Sequence, residues 1–378
     1  MDRKEARVES KIIQRQREEM KTAGYDALIS ISPENTTYTA GVAIPSQSII
    51  RQRHVICLVP AIGSPKMIVV NMEESFAKAN ARIKDVRAYN EFTESPMEYL
   101  ADAIKEEGLE SGRVGIELDY LPARDYKKLG TLLPKVTLED AEPFFGKLRM
   151  IKTDEEIEKL RIAGRAAEKV HHDSFGKLRP GMTELDLAGF VVNGLYLEGI
   201  DQVVKLVVGA GERCSHANPA PTNNVIRMGD MIRVDIFGST SSYLSDVART
   251  AVVGKPTAFQ RETWKKLIEA RALTLENIRP GVHSQEVYQK FAKKFKEMGL
   301  EPINFVGHGL GLTLHEDPYI NKFSDTVLQP GMVLCVEPYY MMVDQSMGFQ
   351  IEDEIIVTEK GYDLITNYKD SSDLIEVH

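Results

Sequence analysis

The sequence predicts an α+β chain in two parts: a smaller α/β domain over residues 1–149 and a larger one over 150–378 made of two repeated halves. Three observations carry this. The chain has 378 residues, too many for one ordinary core. Its first part alternates apolar runs with helical patterns. Its second part uses one turn twice, as Leu178-Arg179-Pro180-Gly181 and, one hundred residues later, Ile278-Arg279-Pro280-Gly281.

Residues 3–23 are charged, with Val8, Ile12, Ile13 and Met20 at roughly helical spacing, and Gly24 closes the run. Residues 27–31, 54–59 and 67–70 are apolar and read as buried strands, the last following Gly63-Ser64-Pro65. Helical patterns near 95–108 and 121–133 bracket a strand at 113–117. Arg51 and Arg53 are either solvated surface charge or face a neighbouring site across a dimer contact. Thr153-Asp154-Glu155-Glu156 has the form of a capping box and predicts a helix to about residue 177. Pro180-Gly181 stops that helix, and another starts at Thr183.

Composition excludes several roles. A net charge of −9 and a pI near 5.6 disfavour a nucleic-acid partner that depends on phosphate contacts. No run of eighteen apolar residues is present, so no membrane partner is expected. The N-terminus mixes charges of both signs without an apolar stretch and does not read as a signal peptide. Cys57, Cys214 and Cys335 are odd in number and far apart, which fits a reducing cytoplasm.

Counted from the two turn glycines, His216 lies 35 residues on and His315 lies 34 on. Asp235 and Glu337 follow at 54 and 56, then Asp246 and Glu352 at 65 and 71. Matches in this order predict pseudo-two-fold halves that each give a histidine and two acids to one shared site. The acids fall in apolar, strand-like runs, where an unpaired carboxylate is costly and needs a counter-charge. Residues 306–318, Val-Gly-His-Gly-Leu-Gly-Leu-Thr-Leu-His-Glu-Asp-Pro, read as a loop or bent strand presenting His308 and His315. Four carboxylates and His308 balance two divalent cations. An oxygen-rich set suits manganese, magnesium or cobalt better than a structural zinc. Two such ions can lower the pKa of a shared water and hold it as hydroxide.

These motifs together resemble the pita-bread family of dinuclear metallohydrolases, which includes Xaa-Pro dipeptidases, Xaa-Pro aminopeptidases, methionine aminopeptidases and creatinase. They are Val-Asp-x-x-Gly at 234, Ser-Asp-x-x-Arg-Thr at 245, Gly-His-Gly-Leu-Gly at 307, Val-Glu-Pro at 336 and Ile-Glu-Asp at 351. Gly24 to Ile29 and Asn35 to Gly41 are similar to the creatinase/prolidase N-terminal domain. The resemblance implies a pita-bread catalytic domain over 150–378. It implies that Asp235, Asp246, His308, Glu337 and Glu352 bind two metal ions, manganese first, with cobalt or zinc as alternatives. It gives Glu337 a second role as general base, and gives His216 and His315 substrate binding and proton transfer. It also implies a small peptide or small amide substrate and a homodimer. A small-molecule amidohydrolase of the ectoine-hydrolase kind is the alternative, and an inactive binding scaffold is a third. Three positions depart from the prolidase pattern: Gln350 replaces an arginine, Tyr339 replaces a glycine, and Ala217-Asn218-Pro219 follows His216. An uncharged Gln350 predicts that no cation is required there.

Overall fold

A computed structural model describes residues 10–378. They form two compact units, the first ending at Arg149 and the second starting at Met150. The reading of residues 1–9, including Val8, lies outside the described residues.

In the first unit, α1 (Lys11–Ala23) starts at Ser10, whose hydroxyl accepts from Ile13 N, and stops at Gly24 with φ 72°. Glycine takes that left-handed stop at little cost. There follow β1 (Ala27–Ser30), α2 (Pro33–Ala40), β2 (Ile56–Pro60), β3 (Lys66–Val70), α3 (Glu74–Asn80) and β4 (Asp85–Tyr89). Then come α4 (Pro96–Glu106), β5 (Arg113–Ile116), α5 (Ala123–Leu132), β6 (Thr137–Asp140) and α6 (Glu142–Met150). The strands make one sheet in the order β4-β3-β2-β1-β5-β6. Strand alternation sends Ile56, Leu58, Ile68 and Val70 into one core and Cys57, Met67 and Val69 into another, so both faces are covered. Arg53 is taken up by a forked pair with Glu91 at 2.9 and 2.7 Å, and Arg51 is exposed.

The second unit opens on α7 (Asp154–Lys177), with Thr153 and Glu156 capping each other's backbone as the sequence predicts. Its first half continues with α8 (Glu184–Leu197), β7 (Gln202–Ala210), β8 (Met231–Thr240), β9 (Tyr243–Leu244) and β10 (Val247–Val253). Its second half holds α9 (Ala258–Glu276), α10 (Ser284–Glu297), β11 (Phe305–Gly309), β12 (Glu316–Asn321) and β13 (Val333–Val336). It ends with β14 (Tyr339–Met342), β15 (Met347–Gln350), β16 (Asp353–Val357), β17 (Tyr362–Leu364) and β18 (Ile375–Val377). One sheet runs β18-β10-β8-β7, another β12-β11-β13-β16-β17, and β14 pairs with β15.

The duplication is present in the hydrogen bonds. Gly181 N donates to Ile226 O and Gly281 N to Leu328 O, both at 2.9 Å. The helices that follow, α8 and α10, have fourteen residues each. Beyond them Ile200 N bonds Leu195 O and Leu300 N bonds Phe295 O, both at 3.0 Å. Each half carries its own core, one around Leu187, Val191 and Val234, the other around Val287, Phe291 and Leu334.

Candidate metal centre

Asp235 lies within β8, opposite Val207 of β7 and Ala248 of β10. The other three acids sit at strand ends rather than inside strands. Asp246 precedes β10, Glu337 follows β13, and Glu352 fills the gap between β15 and β16. Pro338 has no N–H with which to prolong β13. Glu352 N donates across to Ala248 O of the first half at 3.0 Å. Arg249 Nη1 donates to Glu352 O at 2.5 Å, while Thr250 Oγ1 donates to Gln350 O and accepts from Gln350 N. Side chains of the first half thus hold the segment that presents Glu352.

Gly307 and Gly309 serve the sheet itself. A Cβ at Gly307 would collide with Cys335 O, and one at Gly309 with Asp317 O, where β11 bulges against β12. The bent strand places His308 opposite Cys335 of β13. His308 Nδ1 lies 3.0 Å from Gly309 O. A carbonyl can only accept, so Nδ1 carries a proton and Nε2 is the ring nitrogen turned to the acids. Nε2 faces Glu337 at 3.3 Å, Asp246 at 3.6 Å and Glu352 at 3.7 Å.

The decisive observation concerns partners. Among the described residues, Asp235 Oδ1, Asp246 Oδ1, His308 Nε2, Glu337 Oε1 and Glu352 Oε1 are buried and have no hydrogen-bond partner. Five orphaned polar atoms in one place, four of them carboxylate oxygens, are expensive unless a cation joins them. Burial pushes Asp235 up to about 6, opposed by Arg233 and aided by Glu337. Burial and then the neighbouring acids hold Asp246 and Glu352 well above the carboxylate range. This donor set, hard oxygens with one imidazole, fits divalent cations.

His315 stacks on His308 with ring centroids 3.7 Å apart, and burial followed by His308 pushes its pKa down to about 4. One of its ring nitrogens lies within 4.8 Å of ligand atoms on His308 and Glu337. His216 stands apart from the cluster. It is exposed, follows the short turn Gly211–Ser215, and accepts a hydrogen bond at its carbonyl from Arg233 Nη2. A cavity of about 240 Å³ opens over the acids, walled by Lys205, Phe237, Phe305, Tyr339 and Met341.

Comparison with known proteins places these residues in context. The sequence matches "Metallopeptidase family M24" over residues 158–359 and "Creatinase/Prolidase N-terminal domain" over 12–151. This chain belongs to metallopeptidase family M24. It is 30% identical to the probable dipeptidase PepE of Mycobacterium tuberculosis over 355 residues, 92% of this chain and 88% of that protein. It is 30% identical to the Xaa-Pro dipeptidase of Lactobacillus helveticus over 303 residues, 79% of this chain and 81% of that one. The solved Xaa-Pro dipeptidase from Bacillus anthracis superposes with a TM-score of 0.85 at 26% identity, covering 97% of this chain and 99% of the other. As an M24 member the protein is a metal-dependent hydrolase, with the pita-bread fold in its second unit and divalent ions implied. No helix among the described residues is long and apolar enough to cross a membrane.

Residues beyond the recognised M24 motifs also reach the site. Cys335 offers a sulfur within 4.8 Å of ligand atoms on Asp246, His308 and Glu352. Burial, then Asp246, drives its thiol pKa well up, so it is a neutral neighbour. Gln350 Nε2 reaches Asp235 at 3.3 Å, Glu352 at 3.2 Å and Glu337 at 3.5 Å. Position 350 itself carries no charge, and a cation stands behind it, since Arg233 Nη1 donates to Gln350 Oε1 at 2.6 Å. A strand-period signal exists for both: Arg233 lies two residues before Asp235 and Gln350 two before Glu352, on the same faces.

Proposed function

We propose that this M24 enzyme uses two divalent ions, manganese first, to hydrolyse the C–N bond of a short peptide, as an Xaa-Pro dipeptidase or aminopeptidase. The five orphaned buried atoms carry this reading. Asp235, Asp246, His308, Glu337 and Glu352 would hold the ions, which would lower the pKa of a water and polarise the amide carbonyl. Glu337, at the cavity wall, would accept the proton from that water. His315 is neutral near pH 7, with its pKa pushed to about 4, and would hydrogen-bond the substrate without adding charge. His216 would act from the rim. Lys205, steadied by Asn218 Oδ1 at 2.9 Å, gives the cavity a cation suited to a peptide carboxylate. Tyr339 in the wall and Ala217-Asn218 beside it support a second reading, a small amide in place of an Xaa-Pro peptide. A homodimer and a cytoplasmic location complete the proposal, the latter supported by three free, buried cysteines.

The test pairs metal analysis with a substrate panel of Xaa-Pro dipeptides, their C-terminal amides, longer Xaa-Pro peptides and cyclic amides. The expected result is two manganese ions per chain and fastest turnover of Xaa-Pro dipeptides. Turnover confined to the cyclic amides would shift the assignment to the second reading, and protein that takes up no metal would end both.

A further inference from the structure

Arg233 is a buried charge that the proposed chemistry does not yet use. It sits in β8 at 1% exposure, two residues before Asp235. A guanidinium is not left there without acceptors. Its Nη1 donates to Gln350 Oε1 at 2.6 Å, and its Nη2 donates to the carbonyls of His216 and Ala217, the latter at 2.5 Å. Gln350 turns its other end to three acids at once, with Nε2 within 3.2 to 3.5 Å of Asp235, Glu337 and Glu352. An amide has two donors and its carbonyl needs one of its own, so Arg233 fixes which end of Gln350 faces the acids.

We propose that Arg233 and Gln350 form a positioning relay. The guanidinium orients and polarises the amide, and the amide holds the three carboxylates in the spacing that metal binding requires. The cation that the resemblance places at position 350 is supplied here from β8, by Arg233, and reaches the acids through Gln350. This rests on the reading that those carboxylates are metal ligands. The same guanidinium fixes the His216–Ala217 backbone, so the rim of the cavity and its floor share one anchor. A relay has a signature that separate contacts lack: removing either member silences both.

The test is a double-mutant cycle read as manganese affinity, by calorimetric titration of chelator-stripped protein. Arg233→Met and Gln350→Met replace each polar group by an apolar one of roughly similar length. Each is expected to raise the Kd for manganese roughly 10- to 100-fold, as loss of a group that orients metal ligands does. The double variant should be no worse than the poorer single, because the two act in series. The transposed pair, Arg233→Gln with Gln350→Arg, should recover most of the affinity. Losses that multiply, singles with wild-type affinity, or a transposed pair no better than the singles would each overturn the relay. Wild-type protein that binds no manganese would overturn the metal reading instead. If circular dichroism shows Arg233→Met unfolded, Gln350→Met and the transposed pair still decide the matter.

Discussion

The two halves of the catalytic unit share a scaffold and differ in what they present. Their turns, their fourteen-residue helices α8 and α10 and the glycines after them, Gly199 and Gly299, correspond closely. Their strands do not. The first half has the long β7 and β8, of nine and ten residues, with Asp235 set in a regular ladder. The second half has the five-residue β11, bulged at its glycines, and carries His308 on the bend. Helix packing tolerates copying because it needs only an apolar stripe. A site needs unlike ligands at unlike heights, so the difference is concentrated in the strands.

The sharpest way to break this comparison is to remove the acid that the first half contributes beside His308. Asp246→Ala is expected to abolish activity and lower bound metal while the far-ultraviolet dichroism stays native. Full metal content with intact turnover would show that Asp246 is not a metal ligand.

The histidines come next. By sequence count His216 and His315 are equivalent and both are exposed, yet His216 stands apart from the acids while His315 lines the cavity and is stacked on His308. His315→Ala should therefore lower kcat/KM by roughly 10² or more, in the range of a lost acid–base or transition-state contact. His216→Ala should cost less than about tenfold, near 1.4 kcal/mol. Equal losses, measured side by side at saturating metal, would restore the equivalence.

The smallest effect tests the shared scaffold. Thr183 and Asp186 cap α8 reciprocally, whereas His283 at the start of α10 makes no side-chain cap and pairs with Asp325 at 2.8 Å. Thr183→Ala should destabilise by about 1 kcal/mol and His283→Ala by less, read as denaturation midpoints at constant slope. A larger loss at His283 would mean that the Asp325 contact does the capping work.

Much of this was legible in the chain because its signals are local. The capping box at Thr153, the stop at Gly24 and the two Pro-Gly turns each depend on a few adjacent residues. The short α2 was not, since Thr36, Thr37 and Thr39 are poor helix formers and its start rests on Ser32 with Pro33. The five candidate ligands were named from motifs. The placement of Glu352 between strands was not foreseen, because it depends on Ala248 O and Arg249 in the other half. Cys335 and Arg233 were passed over for a similar reason. Each matters through what faces it across a sheet or a cavity, and one sequence does not state its own register.

The hydrogen bonds that Ala248, Arg249 and Thr250 make to residues 350–353 also bear on how the enzyme comes into being. If the five candidates are the ligands, metal loading has to wait for the two halves to meet, since neither half holds all five. Nascent chain that has emerged only through β10 would carry Asp235 and Asp246 with nothing to neutralise them. On the proposed ligand set, binding would then act as a check on completed folding: an ion held tightly would report that both halves have closed on the same seam.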